Sequence, residues 1–191
     1  MGRASRAQAQ ENRKRIVETA SRLFREQGTH VSVADLMKAV GLTHGGFYKQ
    51  FTSKEALIDE ATTHAFDELA ERHTAALEQH TGQPDAVQQA LIDAYLSVEH
   101  RDNPADGCPV AALAGDMARE PGNHEAHRVY AEGVSDFADR LATDDQDGIT
   151  RLCTMFGALL LARATKGSPL SEEILTAARA ALTATTARSG T

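Results

Sequence analysis

Between residues 16 and 57 the chain sets out helix starts and stops at short intervals, and that spacing limits the folds open to it. Ile16, Val17, Ala20, Leu23 and Phe24 recur at i, i+1, i+4, i+7 and i+8, one face of an α-helix, and Gly28 is placed to end it. Ser32 then reads as an N-cap with Asp35 three residues on, a variant of the capping box. Ala34, Leu36, Met37 and Val40 give a short second helix its apolar side, and Gly41 stops it. Thr43 is placed to cap a third helix of about two turns. Phe51 closes that helix, and Ser53 caps a fourth, with Lys54, Glu55 and Leu57 in its first turn.

The third helix contains Gly45 and Gly46, although glycine costs roughly 1 kcal/mol per residue in a helix interior relative to alanine. Two short helices joined by the tight turn Gly41-Leu42-Thr43 form a helix-turn-helix, whose second helix enters a DNA major groove by its N-terminal residues. A first turn without side chains lets the backbone approach bases and phosphates, and the free amides there are anion donors. His44 is suited to a base edge, while Tyr48 and Lys49 reach toward phosphates or neighbouring bases. The bland alternative is that the glycines ease close packing of helix three on helix one.

Charge points the same way. Residues 1–50 carry nine Lys and Arg against four Asp and Glu, so a head of +5 precedes a remainder of −12 within the net −7. A basic end on an acidic body suits contact with a polyanion.

The rest of the chain continues in helical periods without a credible strand. Leu57, Ala61, Ala65, Leu69 and Leu77 mark a long helix over 53–80, broken at Gly82-Gln83-Pro84. A fifth helix runs through Val87, Leu91, Tyr95 and Val98 to the turn-rich segment 102–107. Pro109 opens a sixth carrying Val110, Leu113 and Met117, which Pro121-Gly122 ends. Tyr130, Val134, Phe137 and Leu141 make a seventh. Residues 149–163 are apolar on most of their circumference, which implies burial on more than one side, and 171–187 form a last helix. The expected fold is all-α, in about nine helices.

The run VADLMKAVGLTHGGFYKQFTSKEAL at 33–57 resembles the DNA-binding signature of the TetR family of bacterial transcriptional regulators. The likeness extends back through LFREQG at 23–28 and the Ser32 cap, covering roughly the first sixty residues. It implies an N-terminal helix-turn-helix domain over 1–52, with a mobile arm at about 1–10, joined to an effector-binding and dimerisation domain over 53–191. It further implies phosphate contacts from Ser32, Tyr48 and Lys54, and base or near-base contacts from Thr43, His44, Gly45 and Gly46. Lys49 is open to either role, and Phe47 and Phe51 belong to the small core. Gly46 departs from the threonine or serine frequent there, so readout leans on His44 and on DNA shape.

In that family the last two helices pair with those of a second copy. Here the corresponding residues are Leu152, Cys153, Phe156, Gly157, Leu160, Ile174, Ala178 and Leu182. The helices between head and tail enclose an effector pocket, for which Phe66, Tyr95, His100, Cys108, Met117, Tyr130 and Phe137 are the candidates. Cys108 lies just ahead of a helix whose amides stabilise a thiolate, so it is a candidate sensor of oxidants or electrophiles, against a plain role as a small buried residue. Cys153 is expected to be packing.

Other chemistries find little support. His64 with Glu68, and His124 with His127, have helical spacing but no third ligand, so no metal is expected. No Ser-His-Asp order, Walker loop or dinucleotide fingerprint appears, and no cofactor is expected. Two distant cysteines fit a reducing compartment, the charged first thirty residues lack an apolar signal core, and no apolar run approaches the ~20 residues of a membrane span. The expectation is a cytoplasmic homodimeric repressor, binding a pseudo-palindromic double-stranded DNA operator and released by a small-molecule or thiol-reactive inducer. The alternatives are a helical enzyme using Cys108 and a non-specific architectural DNA binder.

Overall fold

The computed structural model describes residues 2–79, 84–119, 124–143 and 147–183. Ten helices and no strand occur among them: α1 (Gly2–Gln27), α2 (Val33–Val40), α3 (His44–Phe47), α4 (Lys54–Gln79), α5 (Pro84–Tyr95), α6 (Val98–Asp102), α7 (Pro109–Met117), α8 (Glu125–Leu141), α9 (Gly148–Ala164) and α10 (Pro169–Thr183). The expected stops at Gly82-Gln83 and Pro121-Gly122 lie outside the described residues.

Local signals set most of these boundaries. The Ser32 hydroxyl accepts the Asp35 amide at 3.1 Å, and that of Ser53 accepts the Ala56 amide at 3.2 Å. Gly28 and Gly41 end α1 and α2 with φ of 88° and 76°, a left-handed conformation that a Cβ disfavours. Pro109 opens α7, where its missing N–H costs nothing.

Three expectations on helix limits need correction. The first helix reaches back to Gly2, so residues 2–10 are helical. The third is a single turn, and Thr43 sits at its N-cap without a side-chain capping bond. The fifth divides after Tyr95, because Ser97 turns extended (ψ 158°) and its hydroxyl caps a new helix at the His100 amide, 3.0 Å away. That break accounts for ten helices instead of nine.

Two apolar cores result. Ile16, Ala20 and Phe24 of α1 meet Leu36, Met37 and Val40 of α2, Phe47, Phe51, and Leu57 and Ala61 of α4. Leu113 and Met117 of α7 and Ala126 of α8 also enter this first core, so the head is closed off by body helices. Met117 therefore sits at the joint between head and body, apart from the aromatic cluster with which the sequence grouped it. The second core gathers α4, α5 and α7–α10 around Tyr95, Leu96, Phe137, Leu141, Met155 and Leu159.

On the edge of this second core the His73 ring stacks on Phe137 at 5.1 Å, and its Nδ1 accepts from Arg140 at 3.0 Å. Burial, then the charges of Arg140 and Arg72, hold its pKa down at about 4 instead of 6.5. An unfolded chain therefore takes up a proton that the folded chain refuses, so this site favours unfolding as pH falls from 6.5 toward 4. Over that window the melting temperature of the native protein is expected to drop further than that of a His73→Gln variant. Parallel curves would show that His73 ionises freely in the fold.

Candidate nucleic-acid interface

A single helical turn does not hold itself together in water, so α3 depends on its neighbours. Phe47 is fully buried and stacks on Phe51 at a centroid distance of 5.5 Å, anchoring the turn in the head core. Burial of one such side chain contributes about 1.5–3 kcal/mol. The opposite side faces outward: Thr43, His44, Gly45 and Lys49 are exposed, and Tyr48 is 63% exposed. The structure brings His44 and Tyr48 together edge to face at 5.8 Å, a projecting aromatic pair.

The glycines are not there for packing. A Cβ at Gly45 would meet nothing within 4 Å, and one at Gly46 would meet Met37 and Thr43 only at 3.6 Å, an ordinary contact. What the glycines supply is an open surface over the turn. With one turn, the free amides offer less than a full helix start, and more of any recognition rests on side chains.

Ser32 is exposed at the N-cap of α2, but its hydroxyl proton is directed to Asp35 Oδ2 at 2.6 Å. A phosphate contact from Ser32 has to displace that bond. Lys54, half-buried, stands at the start of α4.

Several head arginines that counted toward the basic balance are engaged internally. Arg13 bonds the Gln50 carbonyl and Glu60, and Arg15 Nη2 donates to the Val40 carbonyl at 2.8 Å. Arg25 is buried, donating to the carbonyls of Ser21 and Gly107 and to Glu68. Asp116 of α7 accepts the Thr29 amide at 2.9 Å, a second tie between head and body. The sequence held one weak signal for one of these residues: Arg13, three before Ile16, falls on the apolar stripe of α1.

In the body, four of the seven proposed pocket residues converge at the start of α7. His100 Nε2 accepts the Cys108 amide at 3.0 Å and its Nδ1 faces the Tyr95 carbonyl at 2.7 Å, which fixes the neutral ring with the proton on Nδ1. Burial lowers its pKa, with Arg163 and Arg72 adding to the shift. Tyr130 donates to the Val110 carbonyl at 2.8 Å. The Tyr95 hydroxyl is buried beside the Cys108 thiol, without a well-aligned hydrogen bond among the described residues. Phe66 packs against Tyr130 and Phe137 against Tyr95, each pair at 5.9 Å.

Cys108 is buried, and burial pushes its thiol pKa up despite the amides of Ala111 and Val110. At neutral pH it is a thiol, the less reactive form. Cys153, expected to be packed, is exposed on α9. Among the described residues no group of three or more His, Cys, Asp or Glu is placed to hold a metal ion.

The proposed pairing residues divide. Leu152 and Leu182 point into the subunit's own core, whereas Cys153 and Leu160 are exposed and Phe156, Gly157, Ile174 and Ala178 are half-buried. Ile149, Cys153, Phe156 and Leu160, spaced four, three and four apart, form one stripe along α9. No described helix is long and apolar enough to cross a membrane.

Residues 16–61, which make up most of the head core, match the profile of bacterial regulatory proteins of the tetR family. The chain is 37% identical over 79 residues to the HTH-type transcriptional regulator AcrR of Shigella flexneri, covering 41% of this chain and 34% of that protein. It is 29% identical to an uncharacterised HTH-type transcriptional regulator of Mycobacterium tuberculosis, covering 79% of this chain and 84% of the relative. The fold matches that of a TetR transcriptional regulator from Chloroflexus aurantiacus with a TM-score of 0.73 at 24% identity, covering 93% of this chain and 96% of the other. Residues 16–61 carry the DNA-binding domain of the tetR family. The profile ends within α4, while the fold likeness continues through the body. The AcrR match spans about a third of that regulator's length.

Proposed function

We propose that this TetR-family protein is a homodimeric DNA-binding transcriptional regulator, most simply a repressor, that binds a pseudo-palindromic operator through α3 of each subunit. The observation that carries the reading is the outward face of α3, where His44, Tyr48 and Lys49 project around a glycine surface free of any packing role. Thr43, Gly45 and Gly46 flank the base edges in this arrangement, and Tyr48, Lys54 and a redirected Ser32 meet phosphates. The exposed stripe on α9, with Leu170 on α10, suits a second copy of the chain, and two-fold pairing doubles the few contacts that one short helix offers.

Regulators of this family are typically ligand-responsive. The polar cluster of Tyr95, His100, Cys108 and Tyr130, walled by Phe66 and Phe137, supports a small, largely apolar effector with one or two hydrogen-bonding groups. Such an effector has to bind a conformation with wrongly spaced reading heads more tightly than the DNA-competent one. The buried, protonated Cys108 favours this non-covalent effector over a thiol-reactive one, and it gives no support to an enzyme built on that residue.

Selection from a randomised duplex pool by the full-length protein tests the proposal. Recovered duplexes are expected to carry two related half-sites about one helical turn, or a multiple of it, apart. Lys54→Ala is expected to weaken binding to all duplexes and to flatten the dependence of log K on log salt by about one. Recovery of no preferred sequence at moderate salt refutes the specific regulator and leaves only non-specific DNA binding.

A further inference from the structure

Phe47, the last residue of α3, is its apolar anchor, and the turn of residues 48–50 follows beyond it. Gln50 and Phe51 donate their amides to the Phe47 carbonyl at 2.8 and 3.0 Å, which closes this turn, and the Gln50 carbonyl takes its donor from another element. Arg13 of α1 supplies it. Its Nη1 donates to the Gln50 carbonyl, its guanidinium lies over the Phe51 ring 4.2 Å from the centroid, and its Nη2 donates to Glu60 of α4. One planar group thus joins three elements by a carbonyl bond, a cation–π contact and an ion pair.

We propose that Arg13 is a positioning residue for DNA recognition, which acts on the reading helix from behind and makes no phosphate contact of its own. The proposal rests on the reading of α3 as the DNA-contacting element. Tyr48 lies two residues before the bonded carbonyl, so the clamp fixes the tilt at which Tyr48 and His44 are presented. Glu60 holds the guanidinium in place, and an acidic residue beside a DNA-binding face makes sense in that role.

Positioning and phosphate contact differ in sign and in salt dependence. A lost phosphate contact weakens all duplexes alike and flattens the salt slope by about one. A lost clamp lowers the ratio of specific to non-specific affinity and leaves the slope unchanged. Removing the Glu60 carboxylate tightens DNA binding if charge alone matters, but weakens specific binding if Glu60 holds Arg13.

The test uses the full-length chain, a duplex that it selects from the randomised pool, and a scrambled duplex of equal length. Arg13→Ala, Arg13→Lys and Glu60→Ala are each expected to lower the specificity ratio, about tenfold for Arg13→Ala, with the slope of the native protein retained. Lysine does not rescue, because it lacks the fork and the flat face. In the free protein, amide exchange over residues 44–51 is expected to quicken in all three variants while the urea midpoint confirms that they are folded.

The proposal is overturned if Arg13→Ala flattens the slope by about one at a constant specificity ratio, or if Glu60→Ala tightens binding. Unchanged exchange over 44–51 overturns it equally. If the native chain selects no duplex, the DNA-binding reading fails separately, and the exchange measurement still decides whether Arg13 holds α3.

Discussion

Replacing Gly148 with alanine is expected to lower the stability of the fold by about 3 kcal/mol, the upper part of the range for overpacked sites. Gly148 is the first residue of α9, directly after Asp147, whose carboxylate accepts the amides of Ile149 and Thr150 at 3.0 Å each. A Cβ there would lie 1.9 Å from the Ala138 carbonyl oxygen and 2.9 Å from the Ala142 amide nitrogen. These are backbone atoms at the end of α8, so no rotamer change relieves the clash. Either α9 moves away from α8, opening the core around Leu141 and Leu159, or the Asp147 cap is lost. Urea unfolding at fixed protein concentration measures the effect. Gly45→Ala, where the added methyl meets open space, is expected to be neutral or to gain up to about 1 kcal/mol in helix propensity. Equal midpoints for the two variants would show that α8 and α9 are not pressed together at this point.

Arg25→Met is expected to cost about 3 kcal/mol, the low end for breaking a buried ion pair because Glu68 is partly open to water. The arginine side chain is 1% exposed and donates in three directions, to the Ser21 carbonyl at 3.1 Å, the Gly107 carbonyl at 3.2 Å and Glu68 at 2.7 Å. Methionine keeps the apolar stem and removes all three donors, so the Gly107 carbonyl loses its arginine and Glu68 keeps only His64, at 3.4 Å. Arg25→Lys is expected to recover less than half of the loss, since one ammonium group does not span partners on α1, α4 and the α6–α7 turn. The urea midpoint reports both variants. A cost below about 1 kcal/mol for Arg25→Met would mean that water replaces the guanidinium readily at this joint.

Local grammar made much of the fold legible. Ser32, Ser53, Gly28, Gly41 and Pro109 each act within four residues of their own position, and each does in the fold what its spacing implied. Phe47 and Phe51, which the family resemblance implies belong to the small core, are buried there.

The misreadings share a cause, since each needed to know what packs against a residue. Val98 continues the apolar spacing of α5, so nothing local showed that Ser97 would break it. Cys108, left open between a sensor and a small buried residue, is decided by the same kind of fact, since burial outweighs the amides that favour a thiolate. Arg13 and Arg25 added to the basic charge of the head, although the fold directs them inward. Leu152 belongs to a helix apolar on most of its circumference, where periodicity alone does not say which side faces a partner, and Leu182 of α10 likewise turns into the subunit's own core.

Leu113, Met117 and Ala126 complete the core of the head although they are encoded far downstream of it. The head and body of this chain are therefore not interchangeable parts. A body that diverges in sequence keeps the inner side of α7 under constraint from α1 and α4, and a head transplanted onto it has to match that side. Change is channelled toward faces of the body that the head does not touch.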